Sequence, residues 1–210
     1  MSQITTPPKR ESTEDRRLAI ALAARALIVE KGFEGLRTRD IAERVGINIA
    51  TLHYHVPTKE ALIGLVADSM RREFVAQHLS RPRSTLSPPE LLRLECREFQ
   101  ETFNTNRGLL LVFSELDERG RRDPNIRAAI EPLQRKWHEI VADILRCGRD
   151  DGSFRPDLDP EAGARVVIGA LRSFWRLPDP TPQKFDEMVA EIERSFRSPN
   201  SSPIPVSLQE

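Results

Sequence analysis

Helical periodicity runs through almost the whole chain, and it limits the possible folds more than any other feature. Between residues 13 and 197 apolar side chains recur at intervals of three and four, as at Ile20, Ala24 and Leu27. No segment shows a convincing alternation of the kind that predicts a strand. The sequence therefore predicts an all-α protein of about nine helices, with an N-terminal three-helix domain and a larger C-terminal helical bundle.

Polar and proline-rich segments mark where these helices group into domains. The boundary falls in a linker over residues 81–89, which contains three prolines. We expect the helices of the first domain to be capped by Ser12 or Thr13, Thr38, Asn48 and Thr58. The predicted division is a flexible arm (1–12), a helix-turn-helix domain (13–57), a connecting helix (58–80), a second domain (88–197) and a disordered tail (198–210).

Composition excludes several classes of protein. The 210 residues are 39% hydrophobic, which is enough for a buried core, and they carry a formal net charge of zero. No stretch approaches the roughly 20 apolar residues of a membrane helix, and no signal peptide is recognisable, so we expect a cytoplasmic protein without a membrane partner. Two cysteines, Cys96 and Cys147, do not make a disulfide framework. Because the chain is not basic overall, any case for nucleic-acid binding depends on local pattern.

The segment Thr38–Lys59 supplies that pattern. Two helices of about eight residues are joined by a tight turn at Gly46-Ile47-Asn48, which is the spacing of a helix-turn-helix. The glycine allows a sharp reversal, and the small Ala42 allows the two helices to cross closely. A short second helix of this kind fits the major groove of DNA, which is about 12 Å wide.

The second helix presents hydrogen-bonding groups and no acidic residue. We interpret Thr51, His53, Tyr54 and His55 as candidates for reading bases, and Thr38, Arg39 and Lys59 as phosphate anchors. Further basic side chains able to reach the DNA backbone are Arg37 and, nearer the start, Lys9, Arg10, Arg16 and Arg17. The complete set of predicted DNA-binding residues is Thr38, Arg39, Asn48, Ala50, Thr51, His53, Tyr54, His55 and Lys59.

At these residues the sequence resembles the tetracycline-repressor (TetR) family of bacterial transcription regulators. The matching motifs are Glu30-Lys31-Gly32-Phe33, Thr38-Arg39-Asp40-Ile41-Ala42, Gly46-Ile47, Thr51-Leu52, His55-Val56 and Thr58-Lys59-Glu60-Ala61-Leu62. They occur in order over residues 14–75, about a third of the chain. Two positions depart from the family pattern: His53 replaces the usual tyrosine, and Val56 replaces a common phenylalanine.

The resemblance implies a bacterial homodimer whose N-terminal domains each bind half of a palindromic operator in double-stranded DNA. It also implies that a small-molecule effector moves the connecting helix and, in most members, releases a repressor. Two recognition helices must lie about 34–36 Å apart to read both half-sites together, so a small movement would abolish the fit. The runner-up is a helical ligand-binding or enzymatic protein that keeps this scaffold without specific DNA binding.

The resemblance also places a ligand pocket among the helices of the second domain. Aromatic lining there would suit a hydrophobic or planar effector, although ordinary core packing is an equally good interpretation of each residue. The predicted pocket residues are Met70, Phe74, Phe99, Phe103, Phe113, Trp137 and Val141.

The last two helices combine small residues, which allow close approach, with aromatic anchors. We expect two such helices from each subunit to form a four-helix dimer interface, the competing interpretation being that these faces pack inside one subunit. The predicted interface residues are Val167, Ala170, Phe174, Trp175, Met188 and Ile192.

Other chemistry-bearing residues give weaker signals. His53 and His55 lie two residues apart on a helix and point in different directions, so they favour DNA contact or packing over a metal site. The acidic cluster around Glu115 is interpreted as a solvated charged turn beside Arg119. The sequence contains no dinucleotide fingerprint, phosphate-binding glycine loop or nucleophile elbow, and we expect no catalytic residue, metal or cofactor.

Overall fold

The computed structural model describes residues 12–198. Its helices are α1 (Thr13–Lys31), α2 (Thr38–Val45), α3 (Ile49–His55), α4 (Lys59–Leu79), α5 (Pro88–Thr105), α6 (Arg107–Gly120), α7 (Pro124–Asp150), α8 (Pro160–Phe174) and α9 (Pro182–Phe196). A short 3-10 turn, Phe33–Gly35, follows α1. The all-α prediction is confirmed for the described residues, and the predicted arm and tail lie outside them apart from Ser12 and Ser198.

Most predicted helix ends are confirmed by cap geometry. Ser12 and Asp15 form a reciprocal capping box at the start of α1, and the Asn48 side chain accepts a 2.7 Å hydrogen bond from the Thr51 amide at the start of α3. Asp159 caps α8, where Pro160 occupies the first helical position and needs no hydrogen-bond donor.

Two predicted boundaries differ from the structure. Thr38 is the first residue of α2 and not its cap, and no side chain caps that end. Helix α5 begins at Pro88, inside the predicted linker, because Ser87 and Glu90 form a capping box there.

By their contacts, the described residues divide into two compact units. Unit 1 comprises the chain up to Val75 together with Gly108–Glu131, and unit 2 comprises Ala76–Arg107 together with the chain from Pro132 onward. The sequence-based division differs in assigning α6 to the second domain. Contacts group α6 with the N-terminal helices, and its residue Arg119 reaches Phe33.

In unit 1, α1 packs on α2 and α2 packs on α3. Helix α1 contributes Ile20, Ala24 and Leu27 to the buried interior, and α2 and α3 contribute Ile41 and Leu52. Ile41 and Leu52 are fully buried, and this packing fixes which face of α3 points outward.

In unit 2, α9 packs on both α5 and α8. Its core consists of apolar side chains from α5, α7, α8, α9 and the segment between α7 and α8. An ion pair between Arg93 of α5 and Glu193 of α9 joins residues 100 positions apart. Within residues 12–198, no helix combines the length and apolar character needed to cross a membrane.

Candidate nucleic-acid interface

The turn between α2 and α3 has the geometry that its sequence predicts. Gly46 adopts the left-handed conformation, with φ 73° and ψ 34°, and the following amide, of Ile47, donates a 2.9 Å hydrogen bond to the Ala42 carbonyl. Asn48 then caps α3, and Leu52 is fully buried. Together these contacts fix α3 at one angle and one rotation relative to α2.

The face of α3 opposite Leu52 is available to a partner. Ala50, His53 and Tyr54 are exposed, Tyr54 to 80%, whereas Thr51 and His55 are half-buried. Helix α3 contains no acidic residue. The structure therefore brings the predicted base-reading side chains onto one helix, with Tyr54 projecting most.

Arg17 has a role that the sequence did not indicate. Its Nη1 donates a 3.1 Å hydrogen bond to the carbonyl of His55, the last residue of α3. Carbonyls in the last turn of a helix have no partner within the helix, so Arg17 satisfies one of them from α1. It fixes the end of the candidate recognition helix, and its contact with DNA phosphate stays a prediction.

The three predicted phosphate anchors are exposed. Thr38 and Arg39 lie in the first turn of α2, and the Arg39 side chain makes no ion pair or hydrogen bond with another residue in the range 12–198. Lys59 is the first residue of α4, next to Thr58, whose hydroxyl accepts a 3.1 Å hydrogen bond from the Ala61 amide. Free amides and a cation at a helix start suit a phosphate oxygen.

Lys59 also contacts an aromatic ring. Its ammonium nitrogen lies 4.8 Å from the centroid of the buried Phe33 ring, and the guanidinium carbon of Arg119 lies 4.4 Å from the same centroid. Arg119 is paired with Glu34, at 2.5 Å, and with Glu115, at 2.9 Å. Sequence reasoning missed this contact because Arg119 and Glu34 are 85 residues apart.

The predicted pocket residues fall in both units. In unit 2, Phe99 stacks on Trp137 with ring centroids 6.0 Å apart, and Phe103 makes an edge contact with Phe174 at 6.2 Å. Val141 belongs to the core of that unit and has no exposed surface.

The other predicted pocket residues lie in unit 1. Met70 is fully buried, Phe113 is buried and Phe74 is half-buried. The pocket lining remains a prediction, with Met70 and Val141 placed as core residues.

The predicted dimer residues also divide by burial. Val167, Phe174 and Ile192 pack into the core of unit 2, so for these three the competing interpretation of packing inside one subunit is correct. Ala170, Trp175 and Met188 are half-buried. The apolar side chain that α8 exposes most is Val166, at 55%. Helical periodicity in the sequence did not distinguish the core-facing side of α8 from its exposed side, because both sides carry apolar residues.

Unit 2 contains a buried ionic cluster. Arg83 donates 2.7 and 2.6 Å hydrogen bonds to Glu95 and Glu98, and its Nε donates to the His78 carbonyl at 3.0 Å. Burial raises the pKa of Glu95, and burial together with the charge of Arg83 lowers the pKa of His78. His78, Glu95 and Glu98 are spaced like metal ligands, but the Arg83 guanidinium lies between the carboxylates and neutralises them. The cluster fastens the segment after α4 to α5.

The first three helices are similar to a domain of known proteins. Residues 20–66 match the family model described as bacterial regulatory proteins, tetR family. In this segment the chain is similar to the tetR family. The match covers α2 and α3, the helix-turn-helix, and most of α1.

Curated proteins similar to this chain include a transcriptional repressor and a transcriptional regulator. The HTH-type transcriptional repressor KstR2 of Mycobacterium tuberculosis is 27% identical over 156 residues, covering 72% of this chain and 76% of that protein. The HTH-type transcriptional regulator UidR of Escherichia coli is 24% identical over 153 residues, with the same coverage of 72% and 76%.

Solved structures share the fold of this chain. A TetR-family transcriptional regulator from Agrobacterium tumefaciens matches with a TM-score of 0.74 at 18% identity, covering 89% of this chain and 100% of that one. AibR, solved in complex with isovaleryl coenzyme A and operator DNA, matches with a TM-score of 0.69 at 24% identity, covering 88% and 99%.

Proposed function

We propose that the protein is a ligand-responsive transcriptional repressor that binds a palindromic operator as a dimer and is released by a small hydrophobic or planar effector. The observation that carries the proposal is the exposed face of α3, where Tyr54 and His53 project from a helix without acidic residues. Such a protein acts in the bacterial cytoplasm, where its operator lies, and acts by binding without a catalytic step.

In this proposal α3 enters the major groove and each side chain has a defined task. Tyr54 and His53 offer hydrogen-bonding groups to base edges, and Ala50 offers a methyl group to thymine. Arg39 and Lys59 approach the phosphates on either side of the groove and set the register of the helix. Arg17 keeps the end of α3 in position through the His55 carbonyl, at 3.1 Å.

Dimerisation supplies the second recognition helix. We assign the contact to the exposed side of α8 at Val166, next to the half-buried Ala170, and to Trp175, the half-buried residue that follows the helix. Trp175→Ala should weaken the dimer in analytical ultracentrifugation, and Val166→Arg should weaken it further by placing a charge in an apolar contact. A chain that remains dimeric at low concentration with both substitutions would contradict the assignment.

An effector would act by favouring one of two spacings of the recognition helices. The stacked Phe99 and Trp137 rings, together with Phe103, offer aromatic surface in unit 2. AibR, which shares the fold, was solved with an acyl coenzyme A and with operator DNA. This precedent supports a response to a ligand that has an apolar portion, and such ligands can be screened by release of the DNA complex.

The decisive experiment is a mobility-shift titration with the DNA upstream of the protein's own gene, using a shuffled-sequence competitor at physiological salt. We expect a complex that resists the competitor, and at least tenfold weaker binding by Tyr54→Ala. Arg39→Met should lower the salt dependence by about one released ion. The matched control is Lys184→Met, which removes an exposed lysine from α9 and should leave both quantities unchanged.

Complexes that shuffled DNA displaces equally well would refute operator recognition at that site. Selection from random duplexes then distinguishes an operator located elsewhere from a scaffold that does not read DNA. If no duplex is enriched and Tyr54→Ala has no effect on any function, the runner-up interpretation of a ligand-binding or enzymatic protein replaces the proposal.

A further inference from the structure

Three distant segments of the chain meet at one aromatic ring in unit 1. Phe33, in the turn after α1, is only 4% exposed. Lys59 from the start of α4 and Arg119 from the end of α6 both bring a positive charge within 5 Å of its centroid, at 4.8 and 4.4 Å. A cation near an aromatic face is attracted by the electron density of the ring, so Phe33 holds both side chains.

The charge around Arg119 is balanced, whereas the charge of Lys59 is available. Glu34 and Glu115 both accept hydrogen bonds from Arg119, at 2.5 and 2.9 Å. Lys59 is exposed at the start of its helix, and the residue following Phe33 is Glu34. With Arg119 present, the Glu34 carboxylate is paired with a guanidinium that contacts the same ring as Lys59, so it does not compete for the Lys59 ammonium group.

We propose that Arg119 is a positioning residue of the DNA interface: by pairing with Glu34 beside the Phe33 ring, it leaves the Lys59 ammonium group free to bind a backbone phosphate. This inference rests on the proposed function, because it assigns a task to α6 in the binding of DNA. Arg119 itself does not touch DNA and acts through Lys59.

Arg119→Gln tests the inference by removing the cation and leaving Glu34 charged. We expect duplex affinity to fall about two- to fivefold, the range that corresponds to one exposed ion pair between the freed Glu34 and Lys59. Glu34→Gln in the same chain should restore most of the affinity, because the competing carboxylate is then neutral. Arg121→Gln is the matched control, since Arg121 lies two residues away, is exposed and pairs with Glu118.

A merely structural role for Arg119 would give a different pattern. In a Lys59→Met background, Arg119→Gln should cause no further loss of affinity, and Lys59→Met alone should lower the salt dependence by about one ion. Circular dichroism and thermal unfolding confirm that each variant is folded. Additive losses in the double variant, or failure of Glu34→Gln to rescue, would overturn the inference.

Each titration uses two duplexes, the upstream DNA and its shuffled sequence, because phosphate contacts are present in both. Coupling between Arg119 and Lys59 on both duplexes without preference for either supports the inference and refutes operator recognition at that site. Preference for the upstream DNA without coupling between Arg119 and Lys59 supports operator recognition and overturns the inference about Arg119. Binding to neither duplex overturns both proposals.

Discussion

Replacing Arg83 by methionine should destabilise the protein strongly, because it removes the cation shared by two buried carboxylates. The Arg83 side chain is 17% exposed, and its partners Glu95 and Glu98 are 6% and 8% exposed. Removing one partner of a buried ion pair costs about 3–5 kcal/mol, since the remaining charge is left without compensation.

Two neighbours reduce this cost. An Arg81 nitrogen lies 3.6 Å from Glu98 and can move into hydrogen-bonding range, and His78 Nδ1 lies 3.5 Å from Glu95 and can take up a proton. We therefore expect Arg83→Met to lower the free energy of unfolding by about 3 kcal/mol at pH 7. For a chain of this length, that is a fall of about 6–12 °C in Tm.

Urea denaturation at one fixed protein concentration measures the effect, because dimerisation would make the apparent stability depend on concentration. Arg81→Met is the control: its main partner is the half-exposed Glu101, and such pairs contribute about 0–1 kcal/mol. If Arg83→Met stays within 1 kcal/mol of the parent protein, the cluster does not stabilise the fold as argued.

The same variant should show a pH dependence of known sign. Burial raises the pKa of Glu95, and Arg83 opposes that rise. Without Arg83 the pKa of Glu95 rises further, so as pH falls the folded chain takes up a proton that the unfolded chain binds more weakly. Protonation of Glu95 removes the uncompensated buried charge, and this stabilising effect is lost as pH increases through the folded-state pKa. The destabilisation by Arg83→Met should therefore be smaller at pH 5 than at pH 8. An equal or larger effect at pH 5 would show that Glu95 stays ionised.

Three further predictions concern packing, backbone conformation and thiol chemistry. Gly148→Ala should cost about 1–3 kcal/mol by thermal unfolding, because the new Cβ would lie 2.1 Å from a ring atom of Phe154; no loss would mean that the ring moves freely. Gly46→Ala should cost about 1–2 kcal/mol through its φ of 73° alone, since no atom lies within 4 Å of the new Cβ. Ellman's reagent should modify one thiol per folded chain and two after denaturation, because Cys147 is exposed whereas burial raises the pKa of Cys96 to about 12.

The helix-turn-helix was predictable from sequence because its signals are local. Gly46 and Asn48 specify a turn and a cap within three residues, and the cap and turn geometry follow those signals. The exposed face of α3 could be deduced once Leu52 was assigned to the core. Arg17 could not be assigned in the same way, because its bond to the His55 carbonyl joins residues 38 positions apart.

Unit 2 was less predictable because helical period identifies an apolar face without identifying what covers it. Val167 and Phe174 carry the same signal as an interface residue would, yet they pack against the core of their own unit. The burial of Glu95 and Glu98 was not predictable either, since charged residues are expected at the surface and their burial depends on Arg83. Neither outcome has a local sequence signature.

The order in which the chain enters the two units has a consequence for its synthesis. Unit 1 takes its last helical segment from Gly108–Glu131, after the chain has already supplied Ala76–Arg107 to unit 2. A ribosome must therefore complete residue 131 before the N-terminal unit has all of its parts. A fragment ending after α4 lacks Arg119 and the buried Val112 and Leu116, so it is not a faithful substitute for the DNA-reading half of the full chain.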